Sequence, residues 1–264
     1  MSASATPLYN ARLIKGGALL GDIRLLVRGW QAEEPPSSQK DRGVRANVLA
    51  KPSRSRTVDV FEQTFLPRFV VGPIPEAWRL VRALEDRNLP LEVLRPVYYW
   101  ITARSEPILY DYATQIVWEQ AQRGQTTVRV QDAAAWIRQK LRAQHRVWSD
   151  TVVVRVAQGL LSTLRDFGVV EGRVKKRIAP AHLAIEAFAF VAFALHLLGV
   201  TGARLVDHSD WRLFLLAPTA VERLFFESHQ HHLLTYHAAG RVVRLDFAAH
   251  SPEGMADVVA ARTH

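Results

Sequence analysis

Apolar residues recur along this chain at helical spacing, in successive blocks broken by proline, glycine or polar clusters, and that pattern predicts a mainly α-helical protein. A first helix runs from about Leu19 to Trp30, entered through the glycine-containing LIKGG and cut off by EEPPSSQKDRG, which reads as a surface loop. VRANVLA resumes as a short helix and turns at Lys51-Pro52. A second helix, capped near Ser53 or Ser55, then buries Val58, Phe61, Phe65 and Leu66 on one face. PEAWRLVRALEDRN, LEVLRPVYYWITARS and EPILYDYATQIVWEQAQRG follow as three helices separated by Asn-Leu-Pro and Ser-Glu-Pro breaks, which predicts a packed bundle.

Past residue 125 the pattern changes. TTVRV alternates like a short strand, Gln131-Asp132 is placed to cap the helix AAAWIRQKLRA, and Ser149 to cap the next one. That helix carries a buried stripe of Val153, Val156, Leu160, Leu164 and Phe167, and Arg155, Gln158 and Ser162 share its opposite face. VVEGRVKKRIAP then alternates as a hairpin around Glu171-Gly172. A continuous apolar helix near 183 to 198, the helices DHSDWRLFLL and PTAVERLFFESHQ, a hairpin turning at Ala-Ala-Gly in LLTYHAAGRVVRLDF, and the helix SPEGMADVVAAR complete the chain.

Composition sharpens this outline. With 264 residues and 48% hydrophobic content, the chain is long and apolar enough for a sizeable core. Its net charge of +9 favours polyanionic partners. Only six of the 34 basic residues are lysine, but the many alanines fit a GC-rich coding sequence that exchanges Lys for Arg, so the arginine excess carries less weight than the charge. The absence of cysteine excludes disulfides, cysteine-ligated metal and thiol chemistry. The first apolar run is too short for a signal peptide, and Glu186 and His196 interrupt the longest one, LAIEAFAFVAFALHLLGV. A buried core helix, no membrane and a cytoplasmic location are expected.

Signals for catalysis are thin. No Walker loop, GxGxxG fingerprint, nucleophile elbow or nuclease cluster is present, so neither enzymatic activity nor a cofactor is expected. HQHH at 229 to 232, with His237, lacks the carboxylate or thiolate that completes a zinc site, and a polar helix end is the ordinary account of it. The seven tryptophans fall mostly on apolar helix faces and are expected in the core.

Helix, turn, capped helix and basic ribbon is the order of a winged helix-turn-helix, in which the second helix enters the major groove and the wing follows the backbone. Thr151, Arg155 and Gln158, near the start of that helix, are candidate contacts, and Arg173, Lys175, Lys176 and Arg177 on the ribbon would neutralise phosphates. A second basic stretch, Lys40, Arg42, Arg45, Lys51, Arg54 and Arg56 against only Asp41, precedes the Thr57 helix as a further helix-turn-helix candidate. At the ribbon a solvated charged face is the alternative, and at the second stretch a solubilising loop between bundle helices.

LIKGGALLGDIRLLVRGW, NVLAKPSRSRTVDVF with LPRF, WSDTVVVRVAQGLLSTLRDFGVVEG with KKRIAP, and DWRLFLL with VERL resemble, in order over roughly residues 13 to 225, the BrxA family of bacterial BREX (bacteriophage exclusion) phage-defence systems. The resemblance implies a small, mostly helical, non-catalytic accessory protein, NusB-like in part and able to bind DNA. It would be encoded beside an adenine methyltransferase, an alkaline-phosphatase-like protein, an ATPase and a Lon-like protease. The expected architecture is a multi-helix bundle with winged helix-turn-helix elements and short β-hairpins. An N-terminal helical domain over 1–125 would hold the first helix-turn-helix candidate, 126–182 the winged helix-turn-helix, and 183–264 C-terminal helices with a hairpin. The expected partner is duplex DNA, bound through phosphates with low sequence specificity, together with other BREX proteins such as the methyltransferase or ATPase. An RNA-binding factor and a protein-docking scaffold are the rivals.

Overall fold

A computed structural model describes residues 8–240 and 242–263. The chain is mainly helical, with two small antiparallel sheets. In the N-terminal half come α1 (Leu20–Gly29), α2 (Pro36–Arg45), α3 (Arg54–Val60), α4 (Ala77–Glu85), α5 (Leu91–Ser105), α6 (Pro107–Asp111) and α7 (Trp118–Gln122). Wide π turns at Phe61–Val70, which contains Pro67, and Tyr112–Val117 extend α3 and join α6 to α7. Then follow β1 (Thr127–Val128), α8 (Val130–Ala143), α9 (Asp150–Asp166), β2 (Val170–Glu171) and β3 (Lys176–Ile178). The C-terminal part comprises α10 (Ile185–Leu197), α11 (Ala203–Val206), a 3-10 turn at Ser209–Phe214, α12 (Pro218–Gln230), the hairpin β4 (Leu234–Ala239) and β5 (Val242–Phe247), and α13 (Pro252–Thr263). DHSDWRLFLL, expected as a helix, forms only that tight turn.

One hydrophobic cluster runs from Tyr9 to Val259. At its centre lies α10, where every residue from Ala187 to Leu195 is buried and Phe188 stacks on Trp211 at 4.5 Å. A helix apolar all round can be satisfied only by such enclosure. Among the described residues no helix is long and apolar enough to cross a membrane. Trp30, Trp78, Trp100, Trp136 and Trp211 are buried, as their helix faces predicted.

Buried charge is matched rather than left alone. Arg68, fully enclosed, bonds Glu106 at 3.0 Å and donates to the carbonyls of Gly16 and Gly17, which ties the LIKGG segment to the core. Around Glu85, burial opposes ionisation, but hydrogen bonds from Arg24, Arg28 and Tyr98 outweigh it and hold the carboxyl below the ordinary carboxylate range.

Three expectations fail in and just before the first basic stretch, and a further one at the start of α8. The expected loop EEPPSSQKDRG becomes helical from Pro36, with proline in the first turn, where its missing N–H costs nothing. The connection is 46–53 rather than a turn at Lys51-Pro52, and the short helix expected over VRANVLA is displaced toward the N-terminus. Ser53 does cap α3, accepting from the Arg56 amide. Gln131 and Asp132 lie inside the first turn of α8, and Arg129 occupies the cap position with no side-chain hydrogen bond.

Candidate nucleic-acid interface

The surface around α8, α9 and the first sheet follows from a few local choices. Ser149 Oγ accepts from the Val152 amide and starts α9. Val153, Val156, Leu160 and Leu164 bury its inner face. At Gly159 the helix presses against the turn at Arg12–Ile14 so closely that a Cβ there would sit 2.3 Å from the Leu13 carbonyl oxygen. Gly159 therefore fixes how α9 sits on the N-terminal segment. Beyond α9, Gly168 turns the chain with φ +83°.

The sheet has the order β1-β3-β2. Val170 pairs with Ile178, and with Val128 these residues face the core. Strand alternation then turns Arg177, paired across the sheet with both Thr127 and Glu171, toward solvent. The ribbon loop 172–175 is held in shape. Gly172 has φ +85°, a Cβ there would lie 2.1 Å from the Lys175 carbonyl oxygen, and Lys176 Nζ donates to the Arg173 carbonyl at 3.0 Å.

Between the start of α8, the outer side of α9 and this ribbon lies a cleft of about 770 Å³. Five of its lining residues are cationic: Arg129, Arg138, Lys175, Lys176 and Arg177. Gln131 and Gln158 add amide groups, and neither a carboxylate nor an aromatic ring is among the described lining residues. Arg138 bonds Asp150 at 2.8 Å; the other four cations have no carboxylate partner among the described residues. The cleft is therefore a concentrated positive field in which Arg129, Lys175 and Arg177 keep uncommitted donors among the described residues.

The structure brings Gln158, Lys175, Lys176 and Arg177 together in this cleft. Thr151 and Arg155 are exposed on α9, and Arg173 is exposed on the ribbon loop, none of them lining it. Ser162 is half-buried, with its Oγ accepting from Arg165 Nη2. The first basic stretch is different. Lys40 bonds Glu62 at 2.8 Å, Arg42 pairs with Glu34, and Lys51 lies 2.8 Å from the Asp22 carboxylate. Arg56 donates to the Lys15 carbonyl, while Arg45 and Arg54 are exposed without an ion-pair partner among the described residues. None of the six lines the cleft.

Sequence reasoning missed Arg129 and Arg138. The signal was present: Arg129 continues the TTVRV alternation, and Arg138 follows Gln131 at i+7, on the same helix face. Elsewhere, the His229 and His237 rings lie 5.4 Å apart, and no group of three or more metal-ligating side chains occurs among the described residues.

The model of the family described as BrxA matches residues 7–194, more than half of the chain. No curated protein matches it.

Proposed function

The chain belongs to the BrxA family of BREX phage-defence components, and on that premise we propose that it is a non-catalytic accessory protein of the defence system that binds duplex DNA mainly through phosphates. Residues 126–182 act as a winged helix-turn-helix, with α9 as the helix offered to the duplex and loop 172–175 as the wing. The order β1, α8, α9, β2, β3 and the central place of β3 in its sheet support this reading. The helices before residue 125 serve as the NusB-like platform that carries the module. Other BREX proteins, such as the methyltransferase or ATPase, are its partners in the cytoplasm.

The observation that carries the proposal is the set of unmatched cations. Arg129, Arg173, Lys175, Lys176 and Arg177 gather at one end of one sheet, where β1 leaves beside the loop that leads into β3, and face solvent or the cleft, with no carboxylate partner among the described residues. Such side chains gain more from polyphosphate than from water, because binding releases condensed counterions. On α9 the candidate readers of base edges are Thr151, Arg155 and Gln158, few against the phosphate-binding cations, so sequence discrimination is weak.

The test is the affinity for a mixed-sequence duplex as a function of salt. With about six phosphates neutralised, log affinity against log salt has a slope near −5, and scrambling the sequence changes affinity by less than about tenfold. Structured RNA competes less well than duplex DNA. A slope near zero, or capture of BREX proteins that survives nuclease and high salt while duplex is not bound, assigns the module to protein docking instead.

A further inference from the structure

The cleft differs from the open surface around it in a way that restricts its ligand. At about 770 Å³ it has the volume of a small-molecule pocket, far less than a turn of duplex fills. The edge of one strand fits. Among the described lining residues there is no aromatic ring on which a base would stack, while cations enter from three sides: Arg129 before α8, Arg138 on α8, and Lys175, Lys176 and Arg177 on the ribbon. α8 also opens there without a side-chain cap, so its positive end adds to the same field.

We propose that this cleft is a seat for consecutive phosphates of a single strand, which grips one strand of the DNA by its backbone and takes a linear free polyphosphate in the same place. This rests on the nucleic-acid reading of the surface and adds to it a ligand chemistry: linked phosphates rather than bases or a lone anion. Spread over several ångströms and three elements, the cations suit a chain of charges better than one compact ion. The wing is already shaped for the task, because the Gly172 turn and the Lys176 bond to the Arg173 carbonyl hold it before any ligand arrives.

Calorimetry on the full chain with inorganic tripolyphosphate and orthophosphate tests the idea, alongside displacement of a labelled duplex by each. Tripolyphosphate is expected to bind at least about tenfold more tightly than orthophosphate and to displace the duplex, since each added phosphate meets a further charged donor. R129Q/R177Q should weaken tripolyphosphate binding by about tenfold or more, whereas R79A/R244A, an equal loss of charge away from the cleft, should leave it within about twofold. Lys175→Ala, whose side chain has no partner among the described residues, gives a second reading if R129Q/R177Q melts early. A short single-stranded oligonucleotide that displaces tripolyphosphate identifies the strand backbone as a source of the same chemistry.

Equal affinity for the two phosphates, or tripolyphosphate binding indifferent to R129Q/R177Q and Lys175→Ala, overturns the seat. If the duplex still binds with its steep salt dependence in that case, the DNA-binding reading survives alone. If tripolyphosphate binds in the cleft but duplex does not, the seat stands and the DNA-binding reading falls.

Discussion

Two stretches of this chain are equally basic on paper and opposite in space. Between residues 40 and 56, Lys40, Arg42 and Lys51 are each met by a carboxylate and Arg56 by a backbone carbonyl. Along residues 173–177, and at Arg129 beside them, no cation is met by a carboxylate among the described residues, and only Lys176 is met by a backbone carbonyl, that of Arg173 within the same loop. Of the partners of the first stretch, Asp22 on α1 and Glu62 just past α3 are brought in by the packing of these helices, and Glu34 by the turn that leads into α2. Around the ribbon, Arg129, between β1 and α8, adds a further unpaired charge instead. Charge density along a sequence therefore says little about potential until the fold shows which charges are already spent on one another.

The largest effect expected from this contrast is the loss of duplex affinity on replacing Arg173, Lys175, Lys176 and Arg177 together with alanine. Each lost phosphate contact removes about 0.9 from the salt slope, so the slope should flatten from near −5 to near −2. Stability should change by less than about 1 kcal/mol in a urea titration, because Arg173, Lys175 and Arg177 are exposed, Lys176 is half-buried with one bond to a loop carbonyl, and none holds an ion pair among the described residues. An unchanged slope would move the interface to Arg45 and Arg54, the two cations of the first stretch left exposed without ion pairs among the described residues.

What could be read beforehand follows the same division between local and distant causes. The stripe of α9, its Ser149 cap, the hairpin and the enclosed α10 were legible because periodicity and capping act within a few residues. α2 was not, because its buried positions are Gln39 and Gly43, which carry no hydrophobic signal. The Gln39 amide accepts from the Gln31 N–H at 2.8 Å and donates to the Gln31 and Glu34 carbonyls, while Gly43 leaves room for the Phe61 ring. In the cleft, Lys175, Lys176 and Arg177 were legible as a contiguous run. Arg129 joins them only through the antiparallel pairing of β1 with β3, which no local window contains.

A smaller effect separates the shape of the ribbon from its charge. Gly172→Ala keeps every cation but forces a Cβ into the left-handed region and against the Lys175 carbonyl. The substitution should destabilise the loop by more than about 1 kcal/mol and weaken duplex binding by severalfold, with the salt slope changed by less than about 1. Amide exchange in residues 171–177 would report the loosening directly. Affinity untouched by a loosened ribbon would mean that charge alone suffices there and that its preset shape adds nothing.

The smallest effect is the most discriminating. Lys51 and Asp22 are largely shielded from solvent and 2.8 Å apart, so the ammonium group is committed to the fold. Lys51→Ala should cost about 1 kcal/mol of stability, near the upper end for ion pairs that retain some exposure, since Asp22 is left without its partner in the first turn of α1. Duplex affinity should stay within about twofold, because the pair already neutralises itself and offers a phosphate little net charge. The Asp22→Asn variant sharpens the point: it frees the ammonium, and a basic patch starved only by its internal carboxylate should then gain affinity with salt dependence. If Lys51→Ala instead weakens the duplex as much as Lys175→Ala does, with stability intact, then internal pairing does not withdraw a cation from the interface, and matched and unmatched charge are not the distinction on which DNA binding turns.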